Sequence, residues 1–198
     1  MPADRQDLRR RLAAVAARQS GHFSSAQALR VGYSYQAQKF HADRGNWVRV
    51  GRGMFRLPEW PVSMHDDLVR WSLWARGRAV VSHDTALTVH NLGEANPAAV
   101  HLTVPPNFRS AAPGVILHRG VLDDRDVQEY EGFRVTTPLR TLLDVAASHL
   151  DLDQLASAVR DACANDPTLE GVLLIRIKGL RTGPASRIRR ALRVANAA

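Results

Sequence analysis

Between residues 21 and 53 the chain carries glycine at five positions, Gly21, Gly32, Gly45, Gly51 and Gly53, and no stretch between them exceeds twelve residues. Glycine ends helices and supplies tight turns, so this region can fold only as short elements joined by sharp corners. Asp4 to Arg18 sets Leu8, Leu12, Val15 and Ala16 at helical spacing, with Gly21 as the stop. Ser24 or Ser25 then caps a short helix through Arg30, with Ala26, Ala28 and Leu29 available to pack before the turn at Gly32. Ser34 caps a third helix to about Arg44, with Ala37 and Phe40 facing inward and Tyr35, Gln36, Gln38 and Lys39 on its outer, N-terminal part. Trp47 to Val50 alternates, Gly51-Arg52-Gly53 turns, and Met54 to Leu57 returns until Pro58 ends the pairing. Period-two geometry puts Val48 and Val50 on one face and Trp47 and Arg49 on the other, so the hairpin can bury one side and present Arg49.

Charge falls in three blocks. Residues 1–60 hold eleven Lys/Arg against four Asp/Glu, residues 61–175 nine against fifteen, and residues 176–198 seven against none. Basic charge on a helix-turn-helix with a two-stranded wing is the electrostatic footprint of a duplex-DNA reader. A recognition helix meets the major groove with its N-terminal residues, where glutamine can pair with adenine and lysine can reach guanine or phosphate. The candidate DNA-binding set is therefore Ser34, Tyr35, Gln36, Gln38, Lys39, Arg44, Arg49, Arg52 and Arg56, with Gln36 and Gln38 as base readers and Arg52 at the wing tip. Arg187, Arg190 and Arg193, spaced three apart near the C-terminus, form a possible second basic surface, for DNA or for an acidic partner.

Past Ser63 the pattern changes. A helix carrying Leu68, Val69, Trp71 and Leu73 is expected to bridge two modules, placed at residues 1–61 and 62–198. Strands are expected at Ala79 to Ser82, Val100 to Val104, Val115 to His118 and Phe133 to Val135, with a helix from His83 to Asn91. The remainder reads as helical, Thr137 capping Pro138 to Ser148 and Asp151 opening a helix to about Ala164, then Thr168 to Lys178 and Pro184 to Val194. The fold class expected is α+β, an N-terminal winged helix-turn-helix before a mixed α/β domain with a helical C-terminus.

Candidate chemistry is sparse. His83 and His90 lie seven apart, about 10 Å along a helix axis and too far for two ligands on one ion. His101 and His118 sit in strand patterns with no ligand-spaced neighbour, so neither a metal nor a cofactor is expected. The acidic run Asp123, Asp124, Asp126, Glu129 and Glu131 reads as a solvated turn and helix face. No phosphate-binding glycine loop and no nucleophile elbow occurs, so no catalytic residue is assigned and an enzyme is not expected. Cys163, the single cysteine, cannot form an internal disulfide, which suits a reducing compartment. No apolar run reaches the roughly 18 to 20 residues of a membrane span, and a cytoplasmic protein is expected.

The run from Gly32 to Leu57, with its glycine spacing, its Trp47-Val48-Arg49-Val50 strand and its Arg-Gly-aromatic wing, resembles the winged helix that opens AbiEi-type antitoxins and their regulator relatives. The resemblance continues in Ser82 to Leu92, in His101-Leu-Thr-Val-Pro105 and, most specifically, in Glu131 to Ala146, and spans most residues from Gly21 to Ala147. It implies the antitoxin of an AbiE-like, type IV toxin–antitoxin pair. Such a protein binds double-stranded operator DNA, represses its own operon and counters a nucleotidyltransferase-like toxin. A stand-alone regulator is the alternative, and a degenerate relative of restriction-type nucleases a further one, although the paired Asp and Glu-x-Lys core such enzymes need is missing after Ala147.

Overall fold

The computed structural model describes residues 4–148 and 150–197. The chain divides into two compact units. Unit 1 runs to Arg78 and takes in Glu129–Phe133, and unit 2 holds Ala79–Gln128 and the chain from Arg134 onward. Among the described residues the fold is mixed α+β, with nine α-helices and two sheets.

Unit 1 contains α1 (Arg5–Ala17), β1 (His22–Ser24), α2 (Ser25–Val31), α3 (Tyr35–Asp43), β2 (Val48–Gly51), β3 (Met54–Arg56) and α4 (Asp66–Trp74). Each of the first three helices has a side-chain cap. The Asp4 carboxylate accepts from the Gln6 amide, Ser24 and Gln27 form a reciprocal capping box, and the Ser34 hydroxyl accepts from the Ala37 amide. The three strands form an antiparallel sheet in the order β1-β3-β2. Strand β1 had no sequence signal, because three residues between a helix stop and a helix cap are too few for a period of two to register.

Aromatic rings decide which face of the β2–β3 hairpin is buried. Trp47 and Phe55 go inside at 5 % and 3 % exposure while Val48 is 38 % exposed, reversing the face expected from the valines. Phe23 holds them there, its ring edge-on to Trp47 at 4.9 Å and stacked near Phe55 at 5.7 Å. Two large aromatics bury far more apolar area than two valines, and a one-residue register sets the whole face. Val50 falls at the irregularity between Arg49 and Gly51. From α1, Leu12 and Ala16 complete this core, and Ala28 enters it from α2.

Helix α4, with Val69 buried, belongs to unit 1, so the division falls at 78/79 rather than at 61/62. Residues 129–133 join the same unit through a close backbone approach. At Gly132, φ is +92° and an added Cβ would lie 2.6 Å from the Gln19 Cα, a position only glycine can fill without moving backbone. The Ser20 hydroxyl donates to the Glu131 carbonyl at 2.7 Å.

Unit 2 contains β4 (Val80–Val81), α5 (His83–Val89), β5 (Val100–Val104), β6 (Val115–Arg119), β7 (Val127–Tyr130), β8 (Phe133–Thr136), α6 (Pro138–Ala146), α7 (Leu152–Asn165), α8 (Leu169–Arg176) and α9 (Thr182–Ala197), Glu129, Tyr130 and Phe133 at the ends of β7 and β8 excepted. The strand order is β6-β5-β4-β8-β7, with β4 antiparallel to β5 and parallel to β8, and β5 parallel to β6. Leu142, Val145, Leu155, Val159, Leu173 and Ile188 lie at the centre of the helical core.

Two sequence expectations fail in unit 2. Asp126 is not solvated: its side chain is 4 % exposed and takes Arg140 Nη1 at 2.9 Å and Arg176 Nη2 at 2.8 Å. An isolated carboxylate could not be buried at tolerable cost, but one held between two guanidiniums can. Asp123, Asp124, Glu129 and Glu131 do remain exposed. Nor does Arg187 lie on a shared basic face. Its guanidinium donates to the carbonyls of Ala146, Ser148 and Leu150, satisfying acceptors at and beyond the C-terminus of α6, while Arg190 and Arg193 stay exposed. None of the helices in the described residues is long and apolar enough to cross a membrane.

Candidate nucleic-acid interface

At roughly 100° per residue, Gln36, Lys39, Phe40 and Asp43 share one side of α3, and Gln38 and Ala42 share the other. The structure puts the first side in solvent. Tyr35 is 69 % and Phe40 52 % exposed, whereas Gln38 is 3 % exposed. Phe40 therefore does not face inward, and Gln38 is not available to read a base. The Gln38 Oε1 accepts from the Ser25 hydroxyl at 2.6 Å, and its Nε2 donates to the Ser25 and Tyr33 carbonyls at 3.2 and 3.1 Å. It is a buried bracket between α2 and α3. Three bonds satisfy most of its amide, which is what allows a polar side chain there.

The remaining candidates differ in how freely they project. Ser34, Tyr35 and Gln36 are exposed at the start of α3. Lys39 is exposed but paired with Asp43 at 2.5 Å, one turn on. Arg44 lies over the Phe40 ring at 5.0 Å, and Arg49 over the Phe55 ring at 5.2 Å, contacts that steady a guanidinium without neutralising it. Arg56 is half-buried and donates to the Trp60 carbonyl. Arg52, exposed at the β2–β3 turn, has no ion pair or side-chain hydrogen bond among the described residues, and Gly53 beside it adopts φ +66°. The turn therefore needs its glycine and leaves its arginine free.

Unit 2 assembles a histidine cluster that the spacing of the sequence concealed. His83 begins α5 with φ +51°, and its ring stacks on His118 with centroids 3.5 Å apart. His118 Nε2 lies 3.2 Å from His101 Nδ1, and His101 Nε2 lies 4.0 Å from an Asp84 carboxylate oxygen. The His83 Nδ1 and the Thr103 hydroxyl both meet the Ser82 hydroxyl, at 3.0 and 2.8 Å. Strand pairing is the cause: Thr103 is the register partner of His118, which places His101 and His118 on one face of the sheet. Burial lowers the pKa of all three rings, His83 to about 3 with further depression by His118, His101 and Arg140. His90 stands apart, its Nε2 2.6 Å from the Thr136 carbonyl. No group of three or more His, Cys, Asp or Glu among the described residues is placed to hold a metal ion.

No family model matches the chain, and no curated protein matches it significantly. Among solved structures it is similar to the crystal structure of the RV2827C protein from Mycobacterium tuberculosis. The TM-score is 0.57 and the identity 15 %, and the match covers 93 % of this chain and 77 % of that one. At that identity the likeness is one of fold.

Proposed function

We propose that unit 1 is a winged helix-turn-helix that binds double-stranded operator DNA, with α3 in the major groove and the β2–β3 hairpin as its wing. The observation that carries this reading is the joint exposure, on one small basic unit, of Tyr35, Gln36 and Lys39 at the start of α3 and of Arg49 and Arg52 on the hairpin. The element order, α1-β1-α2-α3-β2-β3 with the strands arranged β1-β3-β2, supports it. Together with the similarity of the Gly32 to Leu57 and Glu131 to Ala146 motifs to AbiEi-type antitoxins, it supports a cytoplasmic antitoxin. This protein represses its own toxin–antitoxin operon and counters a nucleotidyltransferase-like toxin, and it acts by binding rather than by catalysis.

Salt-dependent binding of the full chain to its promoter duplex tests the reading. About four phosphate contacts give a slope of log K against log salt near −4. Arg52→Ala is expected to weaken binding to all sequences and flatten the slope by about 1, and Gln36→Ala to relax base preference. An affinity indifferent both to salt and to Arg52 would remove the proposal.

A further inference from the structure

Unit 1 also holds a cleft of about 990 Å³ between α1, α3 and the sheet, within the size range of small-molecule sites. We propose that it binds a small aromatic acid. Leu8 and Ala13 on α1, Ala37 on α3 and the rings of Phe40, His41 and Trp47 form apolar walls. Trp47 and His41 are stacked at 4.8 Å and Tyr33 meets Trp47 edge-on at 5.0 Å, so the three rings of this wall pack on one another. The Phe40 ring is 52 % exposed and borders the cleft. A planar ligand would cover it.

The charged side chains of the lining suit an anion. Arg5 and Arg9, one helical turn apart on α1, both line the cleft, and neither makes an ion pair or side-chain hydrogen bond among the described residues. Their neighbours Arg10 and Arg11 are both tied to Asp7, at 2.8 and 2.7 Å. The Tyr33 phenol also lines the cleft. Burial raises its pKa and Arg9 acts against that rise, so the guanidinium lies within electrostatic reach of the hydroxyl. Glu59 is the one acidic side chain in the lining, and burial lowers the His41 pKa, which disfavours its charged form. The balance is positive. A carboxylate can take paired N–H donors from an arginine and the O–H of Tyr33 while its ring lies against Phe40 and Trp47. A phosphodiester would satisfy the arginines but leave the apolar walls uncovered.

Calorimetric titration of the full chain with 1-naphthoate, and with neutral 1-naphthamide as the control, tests the site. Naphthoate is expected to bind at least tenfold tighter than the amide. The Arg5→Ala/Arg9→Ala double variant should lose that preference while keeping its circular dichroism and tryptophan emission, since both side chains are exposed. Tyr33→Phe, which preserves the packed ring, should weaken naphthoate several-fold. Equal affinity for acid and amide, no binding at millimolar ligand, or naphthoate binding unchanged in the double variant would each overturn the proposal. Ser34 and Gln36 border the cleft as well, so naphthoate is expected to compete with promoter duplex. That competition rests on the DNA reading and the titration does not. A chain that binds naphthoate but no duplex keeps the site and loses only the DNA assignment.

Discussion

Replacing His83 with asparagine should change how the stability of unit 2 depends on pH. The folded pKa of His83 is lowered to about 3, first by burial and then by His118, His101 and Arg140, while an unfolded histidine titrates near 6.5. Because the folded pKa is the lower one, the unfolded chain takes up the proton first. The site therefore has no effect above about pH 7 and removes about 1.4 kcal/mol of stability per pH unit between roughly 6.5 and 3. Between about pH 7.5 and 4.5 the loss integrates to about 2.5 kcal/mol. Asparagine carries no titrating proton, tolerates the φ of +51° better than most residues, and can still bond the Ser82 hydroxyl. His101 and His118 remain in the variant, so the difference between wild type and His83→Asn isolates His83 and its coupling to them. The assay is urea unfolding followed by far-ultraviolet circular dichroism, because aromatic fluorescence is blind here. Trp47, Trp60, Trp71 and Trp74, with Tyr33, Tyr35 and Tyr130, all belong to unit 1. Wild type should be the more stable at pH 7.5, and its advantage should shrink by about 2.5 kcal/mol at pH 4.5. Parallel stability curves for the two proteins across that range would refute the account of a buried neutral imidazole.

Gln38→Ala should cost unit 1 about 2 kcal/mol, read by tryptophan fluorescence, because it strands the Ser25 and Tyr33 carbonyls; it should leave base preference intact where Gln36→Ala does not. Asp126→Ala removes the carboxylate between Arg140 and Arg176 and should cost unit 2 about 3 to 5 kcal/mol in urea unfolding followed by circular dichroism. Arg187→Ala should cost about 2 kcal/mol by the same measurement through three stranded carbonyls, whereas Arg190→Ala and Arg193→Ala should stay within about 0.5 kcal/mol.

The elements that the sequence made legible are those with strong local chemistry. The Ser34 cap, the Thr137-Pro138 start, Asp151 and the glycine turn at Arg52 mark boundaries that recur in the structure, because caps and turns depend on a few adjacent residues. Orientation about an axis was not legible. On α3 the one large apolar residue, Phe40, suggested an inward face that the structure turns to solvent. The buried face is instead set by Gln38, whose partners Ser25 and Tyr33 lie in α2 and the α2–α3 turn. Hydrophobicity alone cannot anticipate a buried amide satisfied by another element. The histidine cluster was hidden for the same reason: His83, His101 and His118 are each alone in their local patterns and meet only because β5 and β6 pair in parallel beside the start of α5.

Net charge along the chain misleads in the same way, and this bears on the salt slope expected for the proposed interface. Seven cations and no anions in residues 176–198 look like a second binding surface, yet Arg176 is spent on Asp126 and Arg187 on backbone carbonyls. In unit 1, Lys39 is paired with Asp43 and Arg10 and Arg11 with Asp7, and Arg56 is turned to the Trp60 carbonyl. A cation already paired must break that pair before it can displace a counterion from a phosphate, so it adds less to the slope than an unpaired one. Arg44, Arg49 and Arg52, without carboxylate partners on the α3 and hairpin side of the unit, and one contact from the start of α3 or Lys39 account for a slope near −4 rather than the larger value that eleven basic residues in the first sixty would suggest.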